Sequence, residues 1–336
     1  MKKKQDKYSR REFIQKSAKG AAVISASGLI TSCSLFSDKD KEIKIPQRTL
    51  GKTGLKVSIL SFGGGSQFLK NNDGDWEKTL RKAVESGINL FDTAPSYNLA
   101  GFNLGEGKAS GSEERFGEIL PEYRDKIILS TKLESRDPDQ AKESVETSLV
   151  KMKTDYIDIL LIHSIAPSDD VAKVENGLYK KMVELKESGI VKYIGFSSMD
   201  SAERSRDFLE KLDFDVVILA MNPTGYGNYA KVALPAALKK NTGVIAMKVM
   251  RNIVGVEATA KELLEYALTQ EGVASAVVGH FGIEPLEENI KLAHEFGKSE
   301  LASANPKELE SRLASLAGPH ALCWARPGYI DGGIIV

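Results

Sequence analysis

The segment NLFDTAPSYNLAG, residues 89–101, begins as a hydrophobic run and then presents a carboxylate, Asp92, and, five positions on, a phenol, Tyr97. Two later apolar runs end in the same way: IILSTK closes on Lys132 and DILLIH on His163. Taken singly, each residue has an ordinary structural reading. Asp92 can cap a turn, Tyr97 can be a half-exposed loop aromatic, Lys132 can snorkel from a strand tip, and His163 can be a hydrogen-bonded core histidine. Together, a carboxylate, a phenol, an ammonium and an imidazole form a set suited to carbonyl reduction. A phenol is a poor acid at neutral pH, with an unperturbed pKa of about 10. A neighbouring ammonium favours the phenolate, and a carboxylate holds that ammonium where burial would otherwise be costly. The imidazole can donate to the developing oxyanion. General acid assistance of this kind contributes about 10²–10⁴ in rate. No side chain supplies a hydride, so a cofactor must.

Four such groups meet only if the strands that carry them end side by side. From Gln47 the chain alternates short apolar runs with amphipathic stretches. QRTLGKTGLKVSIL reads as a β-hairpin around a Gly-Lys-Thr-Gly turn. VSILSFGG, INLFDTA, KIILSTKL, YIDILLIHS, VKYIGFSS, VVILAMN, GVIAMKVM and SAVVGH read as strands. Each is followed by a helical pattern, near 75–86, 112–120, 138–151, 171–188, 200–211, 231–240, 258–270 and 284–296. Continuous apolar runs are what parallel strands covered on both faces require. Eight such βα units within a span typical of the fold predict a (β/α)8 TIM barrel, whose chemistry gathers at the C-terminal ends of its strands. A doubly wound open sheet is the alternative, but SFGGGSQF (61–68) lacks the glycine spacing of a dinucleotide fingerprint.

The first residues read as an address and not as fold. Lys2, Lys3 and Lys4 open a basic region, Arg10 and Arg11 are followed by Phe13 and Ile14, and GAAVISASGLI (20–30) is apolar but too short to span a bilayer. This resembles a twin-arginine export signal, and ITSC (30–33) resembles a lipobox ending on Cys33. The expected organisation is a signal segment over 1–32, a polar tether over 33–46 and a barrel over 47–336. The expected location is exported, on the periplasmic or cell-surface face, through the twin-arginine machinery, and anchored to the membrane by a lipidated Cys33. An uncleaved anchor or a basic tail is the plainer alternative. Residues 1–32 hold eight of the 46 Lys or Arg and two of the 46 Asp or Glu, which leaves 38 against 44. A mildly acidic remainder with no basic block argues against nucleic acid as a partner. With Cys33 lipidated, Cys323 has no partner for an internal disulfide. The four histidines show no paired metal-ligand spacing, so no metal is expected.

From about Arg48 to about Ala293 the ordered motifs resemble the aldo-keto reductases. LGKTGLKVSILSFGGG looks like that family's opening hairpin and first strand, and INLFDTAPSY like its Asp-Tyr motif. GSEERFGEIL (111–120) looks like its Gly-x-Ser-Glu helix, DYIDILLIH like its histidine strand, and LEEN (286–289) like its adenine-contacting segment. The resemblance implies a TIM barrel using a nicotinamide cofactor on a small carbonyl or alcohol, with a sugar derivative among the candidate substrates. It implies Tyr97 as general acid, Lys132 lowering the phenol's pKa, Asp92 orienting Lys132 and His163 positioning the carbonyl. On the cofactor side it implies Ser197, Ser198, Asn222, Lys248, Arg251, Glu288 and Asn289. Here the chain departs from the family pattern, with Ser198 in place of the usual Asn, Ile218 in place of Gln, and Met247 and Lys248 where an aromatic and a small polar residue are common. VVGHFGIEPLEEN offers no cation to grip the 2′-phosphate of NADPH, so NADH is favoured, with Arg251 as a substitute contact. The loop 98–110 reads as a lid or substrate wall, with a tolerated surface insertion as an equal alternative, and the tail 318–336, with Trp324 and Tyr329, as a cover for the mouth. Cys323 alone cannot ligate an iron–sulfur centre. The competing class is a barrel that binds a dinucleotide or sugar as a sensor or subunit without turnover.

Overall fold

The structure is a computed structural model, and it describes residues 45–107, 109–298, 305–329 and 331. The signal segment, the lipobox with Cys33 and nearly all of the tether therefore lie outside the described residues. From Gln47 a hairpin pairs β1 (Gln47–Thr49) with β2 (Lys56–Ser58) antiparallel, Arg48 opposite Val57. Gly54 turns it with φ 72°, a left-handed conformation in which glycine alone is unstrained. Arg48 donates to the carbonyls of Leu268 and Val273 at 2.7 and 2.8 Å. Leu50 is fully buried, and a Cβ on Gly243 would come within 2.6 Å of its side chain. The hairpin thus plugs the end of the barrel where the strands begin.

Eight parallel strands close the cylinder. In chain order these are β3 (Leu60–Gly63), β4 (Leu90–Asp92), β5 (Ile128–Leu133), β6 (Ile157–Ile162), β7 (Val191–Ser198), β8 (Val216–Ala220), β9 (Gly243–Met247) and β10 (Val273–Val278), with β10 pairing back onto β3. Every residue of β5, β6, β8 and β9 is buried, because helices cover the outer face and the inward side chains fill the lumen. At Gly195 of β7 a Cβ would lie 1.8 Å from the carbonyl oxygen of Val216, so that strand requires glycine.

The helices start at recognisable caps. Asp137 accepts from Asp139 N ahead of Pro138, Ser201 accepts from Arg204 N, and Thr259 and Glu262 form a reciprocal capping box. The stretch expected as one helix over 171–188 is Val171–Val174, a π turn over Glu175–Tyr179, and Lys180–Glu187. Beyond the eighth βα unit a further helix, Pro306–Leu313, precedes the tail.

Candidate active site

Strand register assembles the first half of the site. Asp92, the last residue of β4, lies opposite Ser130 of β5, and alternation puts Ser130 and Lys132 on the same side of that strand. Both therefore reach the carboxylate. Ser130 Oγ donates to Asp92 Oδ1 at 2.9 Å and Lys132 Nζ donates to Asp92 Oδ2 at 2.7 Å. Lys132 Nζ also donates to the Thr93 carbonyl at 2.7 Å. Lys132 is 2% exposed, so its charge is carried wholly by these partners. It stands 4.8 Å from the centroid of the Tyr97 ring.

The second half comes from the loop after β4, the end of β6 and the tail. His163 follows β6 directly, and its Nδ1 lies 2.7 Å from Glu134 Oε2. The Tyr97 and His163 rings meet edge to face at 5.6 Å. Tyr97 Oη donates to Asp331 Oδ2 at 2.9 Å, and His163 Nε2 lies 3.4 Å from the same oxygen. All four sequence-derived catalytic candidates are thus buried together, and two of them converge on a single oxygen atom.

The electrostatics differ from expectation at one point. Burial, and then the Asp331 carboxylate, push the Tyr97 phenol well above its ordinary value, where a lowering by Lys132 was expected. The physical reason is that Asp92 neutralises Lys132 while Asp331 sits against the phenolic oxygen, so the neutral phenol is favoured. Burial alone would depress His163, but hydrogen bonds to Asp331 and Glu134 outweigh it and raise its pKa. Burial alone would raise Asp331, but Lys248 and His163 hold it well below the usual carboxylate range. His280, by contrast, packs 5.6 Å from Phe62 and is pushed down to about 3 by burial, a neutral core histidine. Among the described residues no group of three or more His, Cys, Asp or Glu side chains is placed to hold a metal.

A cavity of about 750 Å³ opens beside Tyr97 and Asp92, within the size range of cofactor sites. Of the cofactor candidates, Lys248, Arg251, Glu288 and Asn289 line it. Ser197, Ser198 and Asn222 do not, because their side chains are committed elsewhere. Ser197 Oγ accepts from Ser164 N, Ser198 Oγ pairs with Tyr229 Oη, and Asn222 Oδ1 accepts from Thr224. Asn289 Oδ1 is buried without a hydrogen-bond partner, although buried carbonyl oxygens are normally satisfied. A nicotinamide dinucleotide fits this wall: Asn289 would offer an acceptor to the adenine end, and Lys248 and Arg251, which pair with Asp331 and Tyr329 of the tail, would offer donors to the phosphates once that tail moves aside.

Three charged wall or site residues are absent from the sequence candidates: Glu134, Asp331 and Lys70. Glu134 lies two positions beyond Lys132, a spacing that could have flagged it. For Asp331 the only signal is a lone carboxylate within an otherwise uncharged GYIDGG. The loop 98–110 does contribute a wall, with Phe102 lining the cavity and lying 6.2 Å from the Tyr97 ring.

Comparison with known proteins agrees with this geometry. The family model described as "Aldo/keto reductase family" matches residues 60–257. An uncharacterized oxidoreductase, YqkF, of Bacillus subtilis is 28% identical over 294 residues, covering 74% of this chain and 91% of that protein. L-galactose dehydrogenase of Arabidopsis thaliana is 26% identical over 311 residues, covering 80% of this chain and 95% of that protein. Among solved structures, a putative aldo-keto reductase from Pseudomonas aeruginosa superposes with a TM-score of 0.60 at 26% identity, covering 76% of this chain and 98% of that one. The chain belongs to the aldo/keto reductase family and is an NAD(P)-dependent oxidoreductase of that kind.

Proposed function

We propose that the protein interconverts a small carbonyl compound and its alcohol, with Tyr97 as the proton-transferring acid and base. The observation that carries this reading is the convergence of Tyr97 Oη and His163 Nε2 on one oxygen, at 2.9 and 3.4 Å. A substrate carbonyl oxygen in that position receives two hydrogen bonds as negative charge develops on it. Glu134 fixes the imidazole by holding Nδ1, which aims Nε2 at the oxygen. Lys132, held in place by Asp92, stands 4.8 Å from the Tyr97 ring, a nearby cation for the phenolate left after proton donation even though its charge is largely balanced by Asp92. A bound reduced nicotinamide would supply the hydride.

The NADH preference rests on Glu288 beside Asn289, a carboxylate where a 2′-phosphate would need a cation. Lys70 and Arg251, on the same wall, are the groups that would oppose it. The relative named L-galactose dehydrogenase supports a sugar derivative as substrate.

The test is Tyr97→Phe in purified full-length protein. Turnover should fall by about 10²–10⁴ while titration with NADH gives an unchanged dissociation constant. A barrel that binds without turnover would show no activity to lose in the parent protein. Tight binding of NADPH with NADH ignored would overturn the cofactor reading alone.

A further inference from the structure

The C-terminal tail leads a carboxylate into the centre of the site. Glu310 accepts from Tyr266 Oη at 2.7 Å, Cys323 N donates to Asn252 Oδ1 at 3.4 Å, and Trp324 is 2% exposed. Tyr329 Oη then accepts from Arg251 at 3.1 Å and donates to Asp331 Oδ1 at 3.1 Å. Asp331 Oδ1 also accepts from Lys248 Nζ at 2.6 Å, while Oδ2 faces Tyr97 and His163. Asp331 is 9% exposed. No other described carboxylate is so placed that it touches both groups that would bind the reacting oxygen.

We propose that Asp331 is an intramolecular competitor for the substrate: its Oδ2 holds the position of the reacting carbonyl oxygen, and a substrate binds only as the tail withdraws. This rests on the carbonyl-reducing reading of Tyr97 and His163. Two atoms cannot share one hydrogen-bonded position, so seated tail and bound carbonyl exclude one another. The seat is built for an anion, since Lys248 is buried and the Asp331 carboxylate is its charge partner. Small free carboxylates are therefore the ligands expected to take the same seat when the tail's own is removed. Release needs no barrel movement. Gly328 precedes Asp331 at φ 77° with nothing near its Cβ position, an unobstructed pivot in the chain leading to it.

The test uses full-length Asp331→Ala, with formate as the probe because it replaces the deleted carboxylate. For 4-nitrobenzaldehyde, a neutral carbonyl, KM should fall at least about tenfold, the worth of one or two charge-assisted hydrogen bonds, with kcat kept. Formate should raise KM again in the variant and leave the parent unaffected. Independently of turnover, formate should raise the melting temperature of Asp331→Ala but not of the parent. Asp331→Asn, which keeps the shape of the side chain, should show a smaller fall in KM. A fall in kcat with KM unchanged would make Asp331 part of the catalytic machinery and overturn the proposal. So would an unchanged KM together with no thermal response to formate. If neither protein reduces any carbonyl, the proposed function fails, and the formate response still decides whether the tail is seated.

Discussion

The Asp92–Lys132 pair allows a prediction whose size and order both follow from the contacts. Lys132→Met removes the ammonium and leaves a carboxylate, 5% exposed, with one neutral donor, the Ser130 hydroxyl. Asp92→Asn leaves the ammonium with two neutral acceptors, the new amide oxygen and the Thr93 carbonyl now 2.7 Å away. Breaking a buried pair by removing one partner costs about 3–5 kcal/mol. The better-solvated remnant sits at the low end, so Lys132→Met should cost more than Asp92→Asn. At about 2 °C per kcal/mol for a domain of this size, the melting temperature falls by about 6–10 °C for Lys132→Met. The double variant strands no charge, so its loss should be smaller than the sum of the two by about 1–3 kcal/mol. Urea denaturation of the four proteins, completed as a double-mutant cycle, measures each quantity. Additive losses would show that the two charges do not sustain each other, and a larger loss for Asp92→Asn would refute the predicted order.

Two further outcomes follow from the contacts of His163 and Gly195. The pKa of His163 is raised in the folded state, so its contribution is fully present below the ordinary value near 6.5 and is lost as pH rises through the higher folded value. Glu134→Gln removes one of the two raising carboxylates, so the stability difference between pH 6 and pH 9 measured in urea should shrink, and an unchanged difference would refute that assignment. Gly195→Ala puts a Cβ 1.8 Å from the Val216 carbonyl and 2.9 Å from the Leu161 side chain, and should cost about 3 kcal/mol or more. A melting temperature within about 2 °C of the parent would show that β7 and β8 can part more easily than their spacing implies.

The candidate catalytic half of the site is readable because it is local. Asp92, Lys132 and His163 each close a continuous apolar run, and consecutive parallel strands must deliver such ends to one place. Tyr97 follows by five residues. What was not readable depends on contacts that no spacing encodes. Trp324 and Tyr329 mark the tail as a cover for the mouth, but Tyr97 and Asp331 are 234 residues apart, and no spacing says that its carboxylate will meet the phenol. The rise in the phenol's pKa is equally invisible in the sequence, since it comes first from burial and then from that distant carboxylate. Ser197, Ser198 and Asn222 stand at strand ends as expected. Whether a short polar side chain at such a position faces a ligand or a neighbouring backbone is set by packing, and here Ser164, Tyr229 and Thr224 claim them.

The seam where β10 meets β3 bears on how the molecule is made. The hydroxyls of Ser61 and Ser275 bond across it from positions 214 residues apart, so the first stave of the cylinder waits for the last. Until synthesis has passed residue 278, β3 has β4 on one flank and open backbone on the other, an edge that invites pairing with a foreign strand. Closure over such a separation is slow by nature. Any partner that shields this flank in the nascent chain would raise the yield of folded protein without changing the stability of the finished barrel.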